Sequence, residues 1–181
     1  MKLKREFYLR PTVQVAKDLL GKFLVHKYRG PSRVGGRAEA DKIYQAMITE
    51  TEAYAGFDDL ACHGSRGKTQ RNQVMFLQGG FAYVYLIYGI YHCLNLVTEK
   101  SDFPSAVLIR GLDFPKADGP GKLCREFQII KQTHNGVDIT KNILWVEDRG
   151  FKPKNIQVTK RIGIDYAKHC ANWPWRFKIK V

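Results

Sequence analysis

Hydrophobic and polar positions alternate along this chain with two different periods. Val13, Ala16, Leu19 and Leu20 recur at helical spacing, with Thr12 as the expected N-cap and Gly21 as the stop. Phe23–Tyr28 reads as a strand; Gly30, Pro31, Gly35 and Gly36 mark a turn; residues 46–54 alternate as a second strand. Residues 64–71 are polar and basic without periodicity and read as a loop. Residues 81–88 and 91–98 are rich in aromatic and β-branched side chains and flank Gly89, which is a hairpin signal. Residues 106–110 form a short apolar run ending in a cation. A helical pattern over 123–131 follows Gly119, Pro120 and Gly121, and the tail alternates apolar and basic residues from Phe177 to Val181. Strands clustered between terminal helices predict an α+β fold, one domain over residues 1–181. Its curved, mainly antiparallel β-sheet is flanked by helices and carries a protruding β-hairpin.

Composition narrows the picture. The 181 residues are 44% hydrophobic and 12% aromatic, enough for a real core and against disorder. The longest apolar stretch, 81–90, is too short to cross a bilayer, which argues against a transmembrane protein. The basic N-terminus is followed by Pro11, Lys17 and Asp18 where a signal peptide needs an apolar run, so a cytoplasmic location is expected. Cys62, Cys93, Cys124 and Cys170 are widely spaced, without a CxxC pair, and read as free thiols. Lys and Arg total 30 against 17 acids, a net charge of +13 that draws the chain toward polyanions. That surplus fits nucleic-acid binding, a ribosomal or membrane-surface role, and plain solubility alike.

Three segments hold candidate chemistry. In ITETEAY, residues 48–54, strand alternation puts Glu50, Glu52 and Tyr54 on one face. They are either the wet face of a half-exposed strand or, with one carboxylate buried beside aromatics, a general base for water. In FAYVYLIYGIYHCLN, residues 81–95, a turn centred on Gly89 sets Tyr85 opposite Cys93 and Tyr83 opposite Asn95. Tyr83 and Tyr91 read as ordinary cross-strand packing. Tyr88 at the tip fits core packing poorly and suits a wedge that enters a duplex. In the loop ACHGSRGKTQRN, His63 has no ligand-spaced partner for a metal, and Arg66, Lys68 and Arg71 suit either phosphate binding or a solvated loop. GPGK at 119–122 lacks the glycine spacing and the Ser or Thr of a nucleotide-binding loop.

Together these segments resemble the alkyladenine (3-methyladenine) DNA glycosylase family. The resemblance rests on ITETEAY, DDLACH at 58–63, RNQVMF at 71–76, YVYLIYGIYHCLN at 83–95, AVLIR at 106–110, GPGKLC at 119–124, and RIGIDYA with PWRF near the end. It implies that Glu52 is the base that deprotonates the attacking water, with Arg110 holding water and acid. It implies that Tyr54, His63 and Tyr85 wall the pocket for a flipped base, with Leu108 near its floor. Asn95 then crowds the exocyclic amine of guanine, and Tyr88 fills the gap left in the duplex. Lys68, Arg71, Tyr91 and Lys122 are the weaker carry-overs, as DNA-backbone contacts. The chain departs from the family after GLDFP, where only Lys116, Ala117 and Asp118 precede GPGKLC.

The implied activity is a monofunctional hydrolase of N-glycosidic bonds in base excision repair. Its partner is double-stranded DNA with damaged purines; no metal or other cofactor is needed, and a monomer is the default. The rivals are a binder of damaged nucleic acid without turnover and an RNA-binding α+β domain. Glu52 and Arg110 favour the enzyme over the first, and Tyr88 at the hairpin tip with the ETEAY strand has no purpose in the second.

Overall fold

A computed structural model of the chain describes residues 1–28, 30 and 41–180. Two short helices, α1 (Arg5–Tyr8) and α2 (Thr12–Asp18), precede β1 (Phe23–Tyr28) and the long β2 (Lys42–Ala55). Then come β3 (Ala82–Ile87), β4 (Tyr91–Val97), β5 (Ser105–Leu112), α3 (Pro120–Glu126) and α4 (Lys131–His134). Three short strands follow, β6 (Leu144–Glu147), β7 (Gln157–Thr159) and β8 (Arg176–Lys178), with 3₁₀ turns at Gln73–Phe76 and Asp165–Asn172. The sheet runs β3-β4-β5-β2-β1-β6, all antiparallel, and β8 joins β2 to β7.

The length of β2 explains the curl. Its first half pairs with β1, and its second half pairs with β5 on one edge and β8 on the other. One strand therefore belongs to two sets of neighbours, and twist accumulates along it. Two register shifts near Glu50 add to the bend.

Strand alternation then sorts side chains between two faces. Ala53, Val84, Leu94, Leu96, Val107 and Ile109 face the main core, packed with Leu19, Leu20, Leu123 and Phe127 from the α2 and α3 regions. The intervening residues face the other way, over a smaller cluster of Cys62, Val74, Met75, Phe76 and Tyr83. All four cysteines are unpaired and buried.

Several expectations need correction. Thr12 is the first helical residue rather than the cap. Pro11 holds the cap position, and the Thr12 hydroxyl bonds Thr98 Oγ1 at 2.9 Å and Glu99 Oε1 at 2.6 Å. The helix expected over 123–131 starts earlier, because Pro120 suits the first turn, and stops at Glu126. Gln128, at φ 54°, then breaks the chain direction before α4. Strands are not bracketed by helices, since β6, β7 and β8 follow α4. The turn expected at Pro31, Gly35 and Gly36, and the end of the tail at Val181, lie outside the described residues.

Candidate active site

A cavity of about 630 Å³ opens on the second face of the sheet, within the ~300–1,000 Å³ typical of small-molecule sites. Tyr54, His63, Tyr85, Asn95 and Leu108, the five residues expected around a base, all line it. So do Arg110, Tyr88, Tyr91, Arg71 and Lys122. Lys68 does not; its ammonium lies 5.8 Å from the ring centroid of Phe76.

Glu52 stands one layer behind this lining, with 0% exposure. A fully buried carboxylate needs partners, and three are present. Oε2 accepts the Tyr54 hydroxyl at 2.8 Å, Oε1 accepts the backbone N–H of Ile162 at 2.9 Å, and Arg110 Nη1 approaches Oε2 at 3.5 Å. Burial dominates: it pushes the Glu52 pKa above the ordinary carboxylate range, against the lowering pull of Arg110, Tyr54 and the Ile162 N–H. A raised carboxyl beside a cavity is the usual setting of a general base. Glu50, two residues earlier, is also no part of a wet strand face. Its Oε1 accepts Arg176 Nε at 2.7 Å and Arg110 Nε at 3.1 Å.

The aromatic part of the cavity wall is uncharged. His63 Nδ1 meets the Tyr83 hydroxyl at 3.0 Å, and its ring sits edge-on to Tyr85 with centroids 4.6 Å apart. Burial, helped by the Arg71 charge, lowers the His63 pKa and favours the neutral imidazole. Burial likewise keeps the Tyr54 and Tyr85 phenols protonated. Asn95 Nδ2 reaches the carbonyls of Tyr83 at 3.2 Å and Cys93 at 3.4 Å, which fixes the side chain in the wall. Tyr83 packs as expected and also anchors His63.

The hairpin has the register its sequence implies, Tyr83 opposite Asn95 and Tyr85 opposite Cys93. Tyr88 and Gly89 both take positive φ, 53° and 71°, as a tight hairpin turn of the primed kind demands. For a tyrosine this conformation is unfavourable by ~1–2 kcal/mol, yet Tyr88 sits there 83% exposed at the cavity rim. Tyr91 is half exposed, and a Cβ on Gly121 would stand 3.0 Å from its side chain, so α3 approaches β4 closely. Ile162 and Tyr166, both exposed, also line the cavity.

Two features received no role from the sequence, although the motifs DDLACH and RIGIDYA contain their residues. The Ile162 N–H is a backbone donor, without a side-chain signature. Next to it, Arg161 forms a fully buried bidentate pair with Asp59 at 2.6 and 2.8 Å and caps the Ala53 carbonyl at 2.8 Å. Its guanidinium also lies 4.8 Å from the Tyr54 ring centroid. This pair anchors the segment that brings Ile162 to Glu52. No group of three or more potential metal ligands occurs among the described residues.

The family model for methylpurine-DNA glycosylase matches residues 6–181. A relative from Alkaliphilus oremlandii is 43% identical over 206 aligned residues, covering 99% of this chain and 96% of its own. One from Methanocella arvoryzae is 48% identical, covering 98% of this chain and 92% of its own. A third, from Anaeromyxobacter, is 45% identical, covering 99% and 90%. All three are named, provisionally, as 3-methyladenine DNA glycosylases. With the match running from residue 6 to the C-terminus, the chain belongs to the methylpurine-DNA glycosylase family.

Proposed function

We propose that this DNA glycosylase extrudes an alkylated purine from duplex DNA and hydrolyses its N-glycosidic bond with a water activated by Glu52. The observation that carries the reading is the buried carboxylate, raised in pKa, directly behind a cavity walled by neutral aromatic rings. One domain over residues 1–181 acts as a monomer on double-stranded DNA in the cytoplasm. No helix among the described residues is long and apolar enough to cross a membrane.

Extruding a nucleotide costs a few kcal/mol. Stacking between Tyr54, His63 and Tyr85 offsets it at ~1–3 kcal/mol per aromatic contact. Tyr88 enters the vacated stack, held outward by its turn. Arg71, Tyr91 and Lys122 at the rim contact the phosphate backbone, with Lys68 on the loop beyond. A 3-methyladenine base is cationic, so neutral electron-rich walls attract it and no acid is needed to expel it. Leu108 limits depth, and Asn95 crowds the amine that guanine carries and adenine lacks.

Arg110 Nη1 makes only a long 3.5 Å contact to Glu52 Oε2, and its remaining N–H can hold a water beside that oxygen. That water attacks C1′ as the glycosidic bond breaks. Its proton passes to Glu52, the bond electrons leave with the purine, and the cationic base departs neutral. The Glu52 charge stabilises the oxocarbenium character at C1′. A neutral lesion such as hypoxanthine lacks the built-in positive charge and leaves more slowly. Incubation with dimethyl-sulfate-treated duplex DNA tests the reading: free 3-methyladenine and unbroken abasic strands support it, and no released purine refutes it.

A further inference from the structure

We propose that Glu50 is a positioning residue for this reaction: it pins Arg110 by its Nε and absorbs the surrounding positive charge, so that Glu52 stays free to act as the base. The inference rests on the reading of Glu52 just given.

The geometry begins with an irregular ladder. Thr51 pairs with Ile109 and Glu50 with Gly111, so the pairing skips Arg110, the extra residue of a β-bulge. Gly111 fits the space: a Cβ there would stand 3.1 Å from Thr49 Oγ1 and 3.2 Å from Glu50 Cβ. The bulge brings Arg110 between two carboxylates of one strand face. The Nε contact to Glu50 is 3.1 Å, and the Nη1 contact to Glu52 is 3.5 Å. The guanidinium is thus held on the acid that does no chemistry. Glu50 also takes Arg176 at 2.7 Å and Lys178 at 3.4 Å.

Arg110, Arg176 and Lys178 meet two carboxylates here, and Glu50 takes up most of that positive charge. Without the Glu50 charge, Arg110 has one carboxylate left, and a close Arg110–Glu52 pair would take the place of the water and weaken the base. The groups around Glu52 are Tyr54 on its own strand, Arg110 on β5, Arg176 on β8, the Ile162 N–H, and Tyr85 and Arg161 nearby. The two acids are driven apart. Burial acts upward on both. At Glu50 the Arg176 hydrogen bond and the charges of Arg176, Arg110 and Lys178 overcome it, and at Glu52 burial prevails. Paired carboxylates with opposed environments divide their roles in this way.

The test is the pH profile of single-turnover base release from methylated duplex DNA. Glu50→Gln preserves an acceptor for Arg110 but removes the charge, and the acid limb should move down by ~1 pH unit with a lower plateau. Arg176→Gln removes a cation near Glu52, and the limb should move up. A merely structural role changes the rate or the folding and leaves the limb where it is. Should Glu50→Gln fail to fold, Glu50→Asp is read in its place: it withdraws the carboxylate from Arg110 Nε by one methylene, and the limb should move down by less. Limbs coincident with the wild type in folded variants overturn the proposal, and so does a shift of either sign opposite to the one stated. If Glu52→Gln retains full activity, the reading of Glu52 itself fails, which is a separate result.

Discussion

The Tyr54 hydroxyl donates to Glu52 Oε2 at 2.8 Å across two positions of one strand, so a wall of the cavity and the buried acid behind it are one hydrogen-bonded unit. The Arg161 guanidinium backs the Tyr54 ring and is locked by Asp59, which leaves little play between wall and acid.

Tyr54→Phe keeps the ring and removes that bond. A hydrogen bond to a charged group contributes ~1.5–3 kcal/mol. The Glu52 pKa, already raised mainly by burial, should rise further. The acid limb of base release is expected to move up by ~1 pH unit, with lesion-DNA affinity close to the wild type. Measured rate profiles and binding isotherms check both parts.

Tyr88 sets stability against function. Its φ of 53° favours glycine, so Tyr88→Gly should stabilise the fold by ~1 kcal/mol. The same change should weaken capture of a flipped lesion by about tenfold or more, since one stacking contact is lost. Thermal unfolding and binding to lesion-containing duplex should therefore change in opposite senses.

Asn95→Ser opens the wall where the guanine amine would collide. The expected result is faster release of guanine from undamaged DNA, while 3-methyladenine release changes little. A selectivity ratio equal to the wild type would remove Asn95 from that role.

A pH effect on stability is expected from two histidines outside the cavity lining. His26 Nδ1 donates to the Phe127 carbonyl at 2.7 Å, and the two buried rings meet Nε2 to Nε2 at 2.9 Å. His134 Nδ1 accepts the Ile130 N–H at 3.1 Å. Neutral rings let His134 Nε2 donate to His26 Nε2; a second proton, on His26 Nε2, would place two donors face to face there. Burial lowers both pKa values, with that of His134 falling from 6.5 to about 4. The folded state therefore binds fewer protons than the unfolded chain. Stability should be full above pH ~6.5 and decline toward pH ~4, by ~1.4 kcal/mol per pH unit for each histidine in its titration range. His134→Gln should flatten this slope in denaturant melts.

How much of this was legible in the sequence depends on the kind of signal. The hairpin register followed from Gly89 and the alternation on either side, and the shared face of Glu50, Glu52 and Tyr54 followed from strand periodicity. The β6 and β7 strands, four and three residues long, are too short for a period to show. The Arg161–Asp59 pair spans 102 residues, and only folding brings it together. The bulge at Arg110 is a property of two paired strands, invisible in either alone. The cap at Thr12 failed because tertiary partners, Thr98 and Glu99, claimed the hydroxyl that a local rule assigned to the helix.

The central claim concerns the Glu52 carboxylate, and single-turnover assays of wild type and Glu52→Gln on methylated duplex DNA test it most directly. Free 3-methyladenine from the wild type, loss of at least ~100-fold of that rate in the variant, and retained lesion binding are the predicted results. Release by Glu52→Gln at the wild-type rate would contradict the account.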